Sequence, residues 1–245
     1  MTDMNKVLIL TGGYVDIQWA KEWLADKKFD YCIAADRGLM YADRLGLDID
    51  FLLGDYDSVD ERVLERYKKK VDFEVYPCEK DYTDTHLAIM TAVQKGASDI
   101  YILGAIGTRM DHTMTNIGNM KAALDSGVNC HIVDKYNCIY LVNNDTGMHL
   151  IKKKEQYGKY VSIVPMSEEV VITLEGFKYC LNKYILKQGL SICQSNEIEN
   201  DEASIIIHKG LAAIFETTDK NCAKLMKNLK KTLKITRNDT NIYLK

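Results

Sequence analysis

The strongest constraint on this chain is a rhythm that runs from Lys6 to Val142. Short apolar runs alternate with longer amphipathic stretches. Lys6–Leu10 (KVLIL), Tyr31–Ala35 (YCIAA), Phe51–Leu53, Asp72–Tyr76 (DFEVY) and Ile100–Leu103 read as strands. Helices are predicted between them, over about 15–27, up to about Leu45, near 60–69, over about 83–95 and over about 112–126. Asn129–Val133 and Cys138–Val142 follow as strands. Strand and helix repeated in this way predict a mainly parallel sheet covered on both faces.

Beyond about Asp145 the rhythm changes. Tyr160–Val164, Val170–Leu174, Lys183–Leu186, Leu190–Cys193, Ala203–His208 and Leu211–Phe215 are short and β-rich. Turn residues such as Gly176, Gly189, Asn200-Asp201 and Gly210 separate them. The expected fold class is an α/β N-terminal domain with a mainly parallel sheet and flanking helices, plus an all-β, sandwich-like C-terminal domain. The expected units are 1–145, 146–218, and a basic helix and tail over 219–245, the helix spanning Asp219–Leu233.

Composition narrows the function. The formal net charge of −3 and pI of about 6.0 give no broad electrostatic reason to expect nucleic acid or a membrane surface as partner. The apolar run Val7–Leu10 is too short for a signal peptide or a span, which needs about 18 apolar residues. A cytoplasmic location is therefore expected. The seven cysteines include no CxxC pair, so reduced thiols and no zinc site are expected.

The acidic residues fall at strand ends. Asp36-Arg37 follows YCIAA, Asp55-Tyr56-Asp57-Ser58 follows FLLG, Lys80-Asp81-Tyr82-Thr83-Asp84 comes shortly after FEVY, and Arg109-Met110-Asp111-His112 follows YIL through a Gly-containing loop. Residues just past the carboxyl ends of parallel strands converge on one crevice. Asp36, Asp55, Asp57, Asp81, Asp84 and Asp111 are thus candidates for one site, with Arg37, Lys80 and Arg109 among them. Carboxylates so close repel one another unless a cation intervenes. Mg²⁺ suits them, since it prefers one or two carboxylates plus water and phosphate oxygens. Carboxylates, a divalent ion and a few cationic side chains are the parts of phosphoryl-type transfer. Each piece has a plainer reading. Asp57 or Ser58 would cap the helix starting near Asp60, Asp81 and Asp84 suit a helix start, and Arg109 with Asp111 makes a surface pair. Gly12-Gly13 fits a phosphate loop or an ordinary strand-to-helix turn equally well.

GDYDSVD (54–60), KDYTDTHLAI (80–89), GAIGTRMDHTMTNI (104–117) and AADRGL (34–39) resemble the motifs of bacterial-type thiamine pyrophosphokinases. YVSIVP (160–165), TLEGFKYCL (173–181) and SNEI (195–198) continue the resemblance, which covers about residues 5–215. It implies a cytoplasmic homodimer that moves a pyrophosphoryl group from ATP to the hydroxyl of thiamine, with Mg²⁺ as cofactor. It implies catalytic roles for Asp55, Asp57, Asp81, Asp84, Arg109 and Asp111, with Asp55, Asp57 and Asp84 as metal ligands. ATP would meet Asp36, Arg37, Lys80, Thr83, Arg109, His112 and Asn116. Thiamine would meet Asp84, Tyr179, Ser195 and Asn196, in a site shared between subunits. Thr108 departs from the pattern, which has glycine there. Two rival readings remain: an aspartyl-phosphate phosphatase using Asp55, and a non-catalytic sensor of thiamine or nucleotide.

Overall fold

A computed structural model describes residues 5–56, 59–69, 71–75 and 81–219. The expected tail helix, Asp57 and Lys80 lie outside the described residues.

The first half alternates as the rhythm requires. Its strands are β1 (Lys6–Leu10), β2 (Tyr31–Ala35), β3 (Phe51–Gly54), β4 (Asp72–Val75), β5 (Asp99–Leu103) and β6 (Asn129–Val133). Its helices are α1 (Ile17–Leu24), α2 (Gly38–Leu45), α3 (Glu61–Lys68), α4 (Asp84–Gln94), α5 (Met110–Asn119) and α6 (Lys121–Leu124). α1, α3 and α4 are slightly shorter than expected, α2 ends at Leu45 as expected, and the stretch predicted over about 112–126 is two helices, α5 starting earlier at Met110 and α6 ending at Leu124. Asp16 accepts the Trp19 N–H at 3.0 Å to start α1, and Thr83 accepts the His86 N–H at 3.3 Å to start α4. Asp60 starts α3 by accepting the Arg62 N–H at 2.9 Å, the part that Asp57 or Ser58 was expected to play.

β4, β3, β2, β1, β5 and β6 lie side by side in that order, all parallel. The order runs one way from β1 through β4 and the other way through β5. The gap between β1 and β5 is therefore the topological switch point, outside which ligands of open α/β sheets bind. Helices cover both faces. Leu8, Leu10 and Ala34 pack with α1, α2 and α3, while Ile9, Ile33, Ile100 and Ile102 pack with α4, α5 and α6. Burial on both faces is why these strands are continuous apolar runs rather than alternating ones.

The second half joins this sheet before forming its own. β7 (Asn137–Asn143) pairs antiparallel with β6, β13 (Leu211–Thr217) with β7, and β9 (Tyr160–Pro165) with β13, so the sheet reaches nine strands. A second, antiparallel sheet has the order β11 (Leu181–Lys187), β10 (Glu169–Glu175), β12 (Glu202–Lys209) and β8 (Met148–Lys152). Val161, Ile163 and Ala213 of the first sheet share one core with Ile172, Leu174 and Ile205 of the second. That is the sandwich. Leu190–Cys193 is not a strand as expected. It is a turn segment in which Leu190 and Ile192 are exposed and Cys193 is buried. No helix of the described residues is long and apolar enough to cross a membrane.

Candidate active site

The loops after β1 and β5 are laced together across the switch point. Thr11 donates its N–H to Leu103 O at 2.9 Å, Gly13 to Gly104 O at 2.7 Å, and Tyr14 to Ile106 O at 2.8 Å. Gly104 has φ +79°, and a Cβ there would lie 2.4 Å from Thr11 O, so only glycine permits this approach. The Gly13 N–H is occupied by this lacing, which favours the structural reading of that glycine over a phosphate contact.

On the other side of β1, the ends of β2 and β3 are equally close. Asp36 sits at φ +48° and donates its N–H to Leu53 O at 2.9 Å. Gly54 has φ +137°, and a Cβ there would lie 3.1 Å from Asp36 Cα. The chain thereby brings Asp36 and Asp55 off neighbouring strand ends at the same mouth.

A cleft of about 600 Å³ opens at this mouth. Asp36, Asp55, Asp81 and Asp84 line it, with Arg37 and Arg109. Thr83, His112 and Asn116 line it as well. Asp84 occupies the first turn of α4, where the helix dipole favours an anion. Asp111 does not line the cleft; it holds Arg109, which does. The guanidinium donates to both its carboxylate oxygens, Nη2 to Oδ2 at 2.5 Å and Nε to Oδ1 at 3.3 Å. That bond pulls the Asp111 carboxyl down to about 2 and raises Arg109 further. Both side chains are well exposed, so the pair is easily exchanged for another partner.

The helix behind the loop fixes its shape. Asn116 is buried and donates to Ala105 O at 2.9 Å. Thr113, also buried, donates to Arg109 O at 3.3 Å and accepts the Gly107 N–H at 3.4 Å. Thr108 is not among the residues of positive φ, so a side chain there introduces no backbone strain. Sequence reading missed Thr113. Its signal was a hydroxyl four residues after Arg109, within reach of that residue's carbonyl.

The thiamine candidates lie elsewhere in the chain. Tyr179, Ser195 and Asn196 do not line this cleft. Tyr179 is 61% exposed, and Lys178 Nζ lies 5.6 Å from its ring centroid. Asn196 is 3% exposed and its side chain is spent on backbone. Nδ2 donates to Tyr179 O at 2.8 Å, and Oδ1 accepts the N–H groups of Tyr179 at 3.1 Å and Glu197 at 3.0 Å. Ser195, at φ +53°, donates its N–H to Ser162 Oγ at 2.9 Å. Asn196 thus fixes where Tyr179 stands.

Among the described residues lining the cleft the possible metal donors are mainly hard oxygens, from carboxylates and hydroxyls, with the His112 imidazole beside them, a set that suits Mg²⁺ better than a softer ion. Among the described residues no group of three or more His, Cys, Asp or Glu side chains is placed to hold a metal ion, and Asp57 lies outside those residues.

Fold and cleft define an α/β protein whose polar site lies outside the carboxyl ends of a parallel sheet, with a β-sandwich appended. Within that class, the profile described as "Thiamin pyrophosphokinase, catalytic domain" matches residues 23–132, and "Thiamin pyrophosphokinase, vitamin B1 binding domain" matches residues 148–212. Thiamine pyrophosphokinase of Bacillus subtilis (strain 168) is 32% identical over 189 residues, 76% of this chain and 87% of the relative. The crystal structure of the Bacillus subtilis enzyme superposes with a TM-score of 0.77 at 27% identity, covering 88% of this chain and all of that one. The structure from Geobacillus thermodenitrificans gives 0.75 at 28% identity, covering 89% and 99%. The chain belongs to the thiamin pyrophosphokinase family and is an enzyme of that kind.

Proposed function

We propose that the protein transfers the pyrophosphoryl group of ATP to the hydroxyl of thiamine, giving thiamine diphosphate and AMP, with Mg²⁺ as cofactor. The observation that carries this reading is the single cleft at the switch point, where carboxylates from three strand-end loops face two arginines.

Asp55 and Asp84, with Asp57, would hold Mg²⁺, which when bound neutralises charge on the phosphate oxygens. Arg109 exchanges Asp111 for phosphate oxygens, at little cost for an exposed pair. Arg37 faces the phosphates from the β2 side. The thiamine hydroxyl oxygen attacks the β-phosphorus, its proton passing to Asp84 or Asp81. The bond from the β-phosphorus to the bridging oxygen breaks, and AMP leaves with that oxygen. Preorganised charge at the phosphates supplies most of the acceleration. Asp36, Thr83, His112 and Asn116 shape the rest of the ATP site.

The Tyr179 ring suits the flat, cationic thiazolium. It does not line the cleft of its own chain, which supports a homodimer in which each Tyr179 serves the other subunit's cleft. Exposed Met148, Leu150 and Ile185 on the second sheet add apolar surface for such a contact. We further propose residues 1–145 as the ATP and Mg²⁺ domain, 146–218 as the thiamine domain, and a cytoplasmic location. The balanced charge supports an enzyme of small molecules, without nucleic acid or membrane as partner.

The test is AMP and thiamine diphosphate formation from ATP, Mg²⁺ and thiamine, with each component omitted in turn. Product only when all are present is expected. Phospho-Asp55 trapped from a phosphomonoester, without thiamine-dependent AMP, would replace this reading with the phosphatase.

A further inference from the structure

The cleft contains an aromatic side chain to which the chemistry above gives no task. Tyr82 lines it, yet remains 51% exposed. Among the described residues lining the cleft it is the sole Phe, Tyr or Trp. An aromatic ring left half in water beside a polar site is an unused apolar surface.

The ring is braced from behind. Its centroid lies 4.7 Å from that of the His86 imidazole, at an interplanar angle of 44°. His86 Nδ1 lies 3.2 Å from Asn119 Oδ1, and Asn119 Nδ2 donates to Thr83 Oγ1 at 3.1 Å. The same Thr83 oxygen accepts the His86 N–H. Thr83, His86 and Asn119 thus form a closed polar ring that ties the first turn of α4 to the end of α5. A side chain backed in this way loses less freedom when something lands on its open face.

We propose that Tyr82 is the platform on which the purine base of the nucleotide stacks. This rests on the ATP reading above and adds a base subsite to it. The other groups of the cleft are carboxylates, guanidinium groups, hydroxyls, the Asn116 amide, two alanines and glycine backbone, which suit phosphate and ribose. The one other ring among the described lining residues is the His112 imidazole, which is smaller and more polar than the Tyr82 ring. The thiazolium of thiamine is assigned above to Tyr179, which does not line this cleft. Stacking engages a π-face and reads no base edge, so the contact serves adenine and guanine alike.

The experiment is titration calorimetry with Mg²⁺ and without thiamine, on wild type, Tyr82→Ala and Tyr82→Phe, using ATP, GTP and inorganic tripolyphosphate. Tyr82→Ala is expected to weaken ATP and GTP about 5- to 30-fold, the lower part of the range for a base on an aromatic ring. Tripolyphosphate, which has no base, is expected to bind all three proteins equally. Tyr82→Phe is expected to match wild type. In steady state, Tyr82→Ala raises KM for ATP with kcat held within about twofold. Equal weakening of all three ligands, or none, overturns the stacking role. A wild type that binds no ATP overturns it together with the reading beneath it. A wild type that binds ATP no better than the Tyr82→Ala variant overturns the stacking role alone.

Discussion

Asn196→Ala separates the bracket from the ring it holds. The substitution removes three side-chain hydrogen bonds, two to the Tyr179 peptide groups and one from the Glu197 N–H. Neutral bonds of this kind contribute about 1 kcal/mol each, so the loss is about 3 kcal/mol. The figure stays near that value because Tyr179 is exposed, and water can reach the groups left behind. For a protein of this size roughly 2–4 °C is lost per kcal/mol, so the melting temperature should fall by about 6–12 °C. The backbone pair between Asn196 and Val161, at 2.8 and 3.0 Å, survives the change, so the loop remains attached to β9. What loosens is the segment carrying Tyr179. KM for thiamine is therefore expected to rise about tenfold, while KM for ATP changes less than about twofold. Asn196→Asp keeps the acceptor but sets a carboxylate oxygen against Tyr179 O at a buried position, and should lower the melting temperature at least as far as the alanine variant. Differential scanning calorimetry and initial-rate kinetics at a temperature where every variant is folded supply the data. A lower melting temperature with an unchanged KM for thiamine would show that the bracket serves the sandwich and not the ring. An unchanged melting temperature would refute the energetic reasoning itself.

Asp84→Asn should lower kcat at least about 100-fold with the melting temperature nearly unchanged, since it removes a charge aimed into the cleft from a well-formed helix start; circular dichroism beside the rate assay checks both halves. Mixing Asp84→Asn with Tyr179→Ala subunits should restore about a quarter of wild-type activity, because half the dimers are mixed and each mixed dimer has one intact site of two; no recovery after exchange would place Tyr179 and Asp84 in the same subunit's site. His131 is pushed down to about 4 by burial between Tyr101 and Tyr140, whereas an unfolded histidine titrates near 6.5. Between those values the unfolded chain takes up a proton that the folded one refuses, so stability falls as pH drops through the window. The full gap is worth about 3 kcal/mol, and the ring's partial exposure reduces this to roughly 2 kcal/mol. Denaturant unfolding of His131→Phe, which keeps the ring stack, should show a shallower decline from pH 6.5 to 4 than wild type; parallel curves would rule His131 out.

The parallel sheet was legible because short, wholly apolar runs, as strands buried on both faces give, alternate with amphipathic helical stretches. Val7, Leu8, Ile9 and Leu10 are all buried, and so are Cys32 through Ala35. The sandwich was harder to read. Leu190–Cys193 looks like a strand but joins the sheet by one backbone bond, Ile163 N to Cys193 O at 2.9 Å, so apolar composition misled where pairing was missing. Met148–Lys152 is a strand that was overlooked, since its outward residues Met148 and Leu150 are apolar and hide the alternation. The pairing of β13 with β7 and β9 spans dozens of residues and is not encoded in any local period. At the site, strand-end placement was readable from motif positions. The uses of particular side chains were not. Asn196 was expected in the thiamine pocket; that its amide also braces the Tyr179 backbone depends on a loop no local rule could place.

That loop also bears on the proposal that the site is completed between two subunits. The nine-stranded sheet runs without a break from β4 beside the cleft to β9 beneath Asn196. Polar links, buried or partly buried, stiffen the junction. His149 of β8 meets the Tyr140 hydroxyl at 2.9 Å, Tyr140 donates to Glu216 at 3.1 Å, and Glu216 accepts the Tyr157 N–H at 2.7 Å. Tyr157 in turn donates to Asp134 O, and Asp134 Oδ1 holds the turn after β6 through Tyr136 N and Asn137 N. To carry Tyr179 into its own cleft, the chain would have to bend a continuous sheet across strands whose backbone groups are already paired, and break buried bonds as it did so. A hinge needs a few residues free to absorb rotation, and this junction offers a ladder instead. Bringing the ring from a second copy leaves every one of those bonds intact. That asymmetry of cost, rather than the exposed apolar surface alone, is what favours a site completed between subunits.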